Sequence, residues 1–103
     1  MALSFEAAAT LFRAGEFARL VEVSGRSKAD HLALDPAHRV LMANALALVG
    51  ELDVARTLAE LDRHPPTPTN IRSHAEWVLG LANWRTGEVK VAIQHAQAAL
   101  RLA

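Results

Sequence analysis

The chain has no cysteine and no tyrosine, only five aromatic residues, no excess of either charge and no long apolar run. Each shortage removes a class of function. Without cysteine there is no disulfide, no thiolate metal site and no cysteine nucleophile, while the redox compartment stays open. Eleven acidic and eleven basic residues cancel and are spread along all 103 positions. The basic run that nucleic acid or an anionic membrane surface would need is therefore missing. The longest stretch free of Asp, Glu, Lys and Arg runs from Val40 to Gly50, far short of the roughly 20 residues that cross a bilayer. The opening MALSFEAAATLF lacks a basic start and carries Glu6, so it does not read as a secretory leader. Together these features predict a soluble, cytoplasmic protein that engages neither nucleic acid nor membrane.

What the chain does contain is rich in alanine and leucine, which favour helix over the β-branched and aromatic usage of sheets. Its length suits one domain over residues 1–103. Three Gly-Glu pairs punctuate it, at Gly15, Gly50 and Gly87, spaced 35 and 37 residues apart. Seven residues before each glycine stands a small residue, Ala8, Ala43 or Gly80, where two helices can cross closely. Five residues after come Leu20, Ala55 and Ala92, and nine after come Ser24, Ala59 and Ala96. This divides the chain into three helix pairs, over about 1–35, 36–70 and 71–103.

Caps and breakers place the helices. Ser4 can cap a helix to about Ala14, and a second runs from Glu16 to about Ser24, stopped by Gly25. Ser27 to Asp30 has the form of a capping box with Asp for Glu, predicting a short helix through about Leu34. Asp35-Pro36 reads as N-cap and first-turn proline of a helix to Val49, and the next spans Glu51 to about Arg63. His64 to Thr69 holds three prolines and reads as a stiff loop, more plausibly a connection than a polyproline ligand. Asn70 is expected to cap a helix ending near Thr86, and the last runs from Glu88 to about Leu102.

The run Gly80-Leu81-Ala82-Asn83-Trp84-Arg85-Thr86-Gly87-Glu88, followed by Ala92 and Ala96, resembles the tetratricopeptide repeat, as does Gly50-Glu51-Leu52-Asp53-Val54-Ala55. The likeness covers essentially the whole chain but rests on a loose pattern of small and apolar residues. The sequence departs from it where the family's aromatic, four residues before the turn glycine, is Leu11, Leu46 and Asn83, and where Gly25 interrupts the first unit. The resemblance implies an all-α fold of antiparallel helix pairs stacked as a short right-handed α-solenoid. It also implies a concave groove, lined by the first helix of each pair, that takes a peptide or helix of another protein.

Counting back from each turn glycine points to that groove. Ten residues gives Phe5, Val40 and Trp77, and three gives Phe12, Ala47 and Trp84. Phe5 with Phe12 and Trp77 with Trp84 are i, i+7 pairs, each on one helical face. Asn44 and Leu81 fall between these rows, with Arg13 and Arg85 beside them. The ordinary alternative is that these aromatics are core. Some members of the family it resembles clamp a C-terminal carboxylate with Lys and Asn; here only Asn44 matches in type, leaving Arg13 and Arg85 as the basic groups for an acidic ligand. In the last helix Val89, Ala92, Ile93, Ala96 and Leu100 form one apolar stripe, read as packing on its own pair. Val91, Ala98 and Leu102 form a second with no partner. That second stripe predicts a homodimer through this helix, or a chain cut from a longer protein.

No chemistry is legible. His31, His38, His64, His74 and His95 show no ligand spacing, so no metal or other cofactor is expected and all five read as surface or half-buried. Gly25 alone makes no phosphate loop, and Ser, His and Asp occur without a nucleophile elbow. The expectation is a non-enzymatic protein-binding module, part of a bacterial-type regulator or adaptor. A small secretion-type chaperone and a self-associating structural element are the alternatives.

Overall fold

The computed structural model describes residues 3–103, which fold as six helices with no strand among them; Met1 and Ala2 lie outside the described residues. α1 covers Phe5–Arg13, α2 Phe17–Ser24, α3 Pro36–Leu48, α4 Leu52–Leu61, α5 Thr69–Arg85 and α6 Val89–Leu102. Ser4 caps α1 as its type implies, its hydroxyl accepting the Ala7 N–H at 3.1 Å. Three features differ from the expected ones by more than a single residue. Ser27 and Asp30 do form the reciprocal capping box, but it closes only a single 3-10 turn, Lys28–Asp30. α4 ends at Leu61, because the buried Asp62 leaves the helix to meet Arg39. α5 begins one residue before Asn70, with Pro68 at its N-cap, so Asn70 is a helix residue rather than the cap.

The three Gly-Glu turns are built alike. After α1, α3 and α5 the glutamate N–H reaches back to Leu11, Leu46 and Asn83 O at 3.0, 2.8 and 2.9 Å. The glycine N–H bonds Phe12, Ala47 and Trp84 O, completing the double closure that suits a left-handed residue at the turn. Gly50 sits there with φ +95° and nothing within 4 Å of where a Cβ would stand. Gly50→Val should therefore cost about 1–3 kcal/mol, from backbone strain alone. A thermal melt coinciding with wild type would contradict it. Gly25 is different. It ends α2 at φ +103°, and a Cβ on it would lie 2.9 Å from the Cβ of Asp30, because the capping box folds directly over it.

Packing follows the pairs. α1 and α2 lie together, α3 packs against both, α4 pairs with α3, α5 packs against α3 and α4, and α6 pairs with α5. One core runs through all of these except α6, centred on Leu20, Val21, Met42, Leu46, Leu58, Val78 and Leu79. Its radius of gyration, 12.6 Å, is that of a compact chain of this length. Ala8, Ala43 and Gly80 are all buried, and Gly80 brings α5 close enough to α6 that an added Cβ would lie 3.3 Å from the Ala92 carbonyl.

Buried polar groups tie the pairs together. Arg39 on α3 grips Asp62 through Nε at 2.7 Å and through Nη2, and its Nη1 donates to the Leu32 and Leu34 carbonyls. Arg63 Nε donates to Glu76 of α5 at 2.7 Å, and the other oxygen of Glu76 meets His95 Nδ1 of α6 at 2.9 Å. Burial pushes the Glu76 carboxyl up, but hydrogen bonds from His95 and Arg63 outweigh it and hold its pKa below the ordinary value.

Candidate groove between the odd-numbered helices

An open groove of about 560 Å3 lies across α1, α3 and α5. Phe5, Val40 and Trp77, the three residues ten before the turn glycines, all line it, with Phe12 and Asn44. Periodicity explains why. α3 presents Ala37, Val40 and Asn44, and α5 presents Asn70, His74 and Trp77, each set recurring at i, i+3 or i+4, and i+7 along one face. Trp77 is 53% and Phe5 45% exposed, so neither ring is ordinary core. Phe5 stands edge-on to the ring of His38 at 5.8 Å, and Phe12 edge-on to Phe17 at 5.0 Å, fixing the α1 wall. Burial, then the neighbouring His31, lowers the His38 pKa, favouring the neutral ring behind Phe5.

No Asp, Glu, Lys or Arg lines the groove; its polar groups are Asn44, Asn70 and His74. A carboxamide both donates and accepts, so Asn44 and Asn70 suit a peptide backbone rather than a charged end. Trp77 and Phe5 supply broad apolar contact beside them. Ala37, Leu41, Asn70, Ile71 and His74 were not assigned to the groove from the sequence. Ala37 and His74 are both thirteen residues before a turn glycine, so the same count would have found them.

Other expected residues go elsewhere. Trp84 is 62% exposed but belongs with Leu81 to a second hollow between α5 and α6, which Trp77 also borders. Arg13 is exposed at the end of α1 and lines neither hollow. Arg85 turns back to α3, its Nη1 donating to Ala47 O at 2.8 Å and Leu48 O at 3.0 Å. There it caps a helix terminus. It is not a free cation at the groove.

The stripes of α6 also change roles. Ala92 and Ala99 are buried and Ala96 and Leu102 half-buried, whereas Val89, Ile93 and Leu100 of the expected packing stripe are exposed. Ala98 and Leu102, expected to be open, are half-buried beside Arg63 and Arg72, and Val91 alone of that stripe stands outward. Small residues win the inner face because Gly80 draws the two helices together. His31 and His38, expected at the surface or half-buried, are buried, His31 with its Nε2 2.9 Å from the Gly25 carbonyl. No described helix is long and apolar enough to cross a membrane. No protein-family model, no curated protein and no solved structure matches the chain.

Proposed function

We propose that the protein is a tetratricopeptide-like array of three helix pairs, stacked as a right-handed solenoid, that holds a segment of another protein in the groove across α1, α3 and α5. One observation carries the reading. The residues ten before each turn glycine, far apart in sequence, converge in a single open groove that contains exposed aromatic rings and no charged lining group. Evenly repeated apolar positions separated by amide side chains fit an apolar helix or an extended peptide. The role is binding without chemistry, since the groove offers neither a nucleophile nor a paired acid and base.

Affinity capture with the intact chain, read by mass spectrometry, tests this with two variants. Trp77→Ala should weaken the captured partner's affinity by about 2 kcal/mol, roughly thirtyfold, with little change in melting because the ring is half exposed. Ala37→Trp fills the groove from the α3 side and should abolish capture while leaving the helices intact. A partner retained equally by all three proteins would place binding elsewhere.

A further inference from the structure

We infer that the apolar face left open across α5 and α6 is where two copies of this chain meet. α3 covers α1 and α2, and α5 covers α3 and α4, but no described element covers the matching face of α5 and α6. The difference shows at equivalent positions 37 residues apart. Val40 and Ala47 are 3% and 0% exposed, whereas their counterparts Trp77 and Trp84 are 53% and 62% exposed. Between these rings and Ile93 lies a hollow of about 260 Å3 with no charged or amide side chain in its lining.

The chemistry of the occupant is written in the same comparison. Arg63, two residues beyond the end of α4, meets Glu76 of the helix that covers it, but the counterpart of Arg63 on α6 is Leu100, which is 76% exposed, and that of Arg56 is Ile93. The covering helix must therefore bring apolar side chains where α5 brings a carboxylate. α6 itself displays such a ridge. Val89, Ile93 and Leu100 follow one another at i, i+4 and i+11 on one face, all three exposed, and Ile93 lines the hollow. Ridge and hollow lie side by side on one surface, so a two-fold axis satisfies both at once.

An open head-to-tail stack fits less well. α5 covers α3 and α4 with Val78 and Leu79, and 72 residues earlier α1 carries Glu6 and Ala7, with exposed Thr10 matching Ala82. The outer face of α1 is thus too polar to serve as the cover. With no net charge, two copies meet without mutual repulsion.

Sedimentation equilibrium and light scattering on the intact chain test the inference independently of any groove partner. A closed dimer of the 11.1 kDa chain is expected, with the fluorescence of Trp77 and Trp84 shifting to the blue as the dimer forms. Ile93→Glu and Leu100→Glu should each give a monomer of unchanged helical circular dichroism, and two variants guard against one failing to fold. Val91→Glu, on the opposite side of α6, should leave the dimer intact. A wild-type chain still monomeric at about 0.5 mM, well above typical dimer dissociation constants, would overturn the inference. So would a mass that keeps growing with concentration, or a dimer broken by Val91→Glu and not by Ile93→Glu.

Discussion

Arg39→Ala is expected to remove about 3–5 kcal/mol of folding stability, the largest loss for any single polar residue here. The cause is what it leaves behind. Asp62 is 1% exposed, and its carboxylate has the forked guanidinium of Arg39 as its ion-pair partner. Removing the cation strands that charge in the interior, and the Leu32 and Leu34 carbonyls lose their donor as well. For a domain of this size the loss corresponds to a fall in Tm of roughly 15–30 °C. The paired change Arg39→Met with Asp62→Leu should recover most of it, since neither charge is then left buried alone. Urea melts of the single and double variants decide the matter: equal instability in both would mean that lost packing, and not the stranded carboxylate, sets the cost.

Arg63→Ala should cost about 2–3 kcal/mol at neutral pH, less than the first because Glu76 keeps its contact with His95. It also carries a signature in pH. The folded-state pKa of Glu76 is depressed below 4.5, so the carboxylate contributes stability above that value and the contribution is lost as pH falls through the folded pKa. Without Arg63 one of the groups that depress it is gone, and the variant has less of this contribution to lose. The stability difference between wild type and Arg63→Ala should thus narrow on acidification below about pH 4.5. A difference that stays constant down to pH 3 would show that Arg63 acts through its aliphatic stem.

The turns were legible because glycine followed by glutamate leaves a local mark, and all three fold to the same hydrogen-bond pattern. The convergence of Phe5, Val40 and Trp77 could be counted for the same reason, each standing at a fixed distance from such a turn. α6 was not legible in this way. It is apolar on more than one side, and periodicity cannot say which side meets α5 when the deciding contact is the close approach allowed by a glycine in another helix. Arg85 misled for a related reason, since its sequence position places it near the groove while its guanidinium is drawn to the carbonyls that end α3. The Arg39–Asp62 and Arg63–Glu76 pairs span 23 and 13 residues, with no local pattern to announce them.

The groove has walls of unequal depth in the fold. α3 and α5 each bury seven or more residues, whereas α1 buries only Ala8 and Ala9. Local opening costs least where the fewest apolar groups must be uncovered, so the Phe5 and Phe12 wall yields before the Trp77 wall. The width of the groove is accordingly set by a wall that gives against one that does not. On the binding role proposed above, affinity would draw on the freedom α1 surrenders, and segments differing in girth would be held against the same tryptophan.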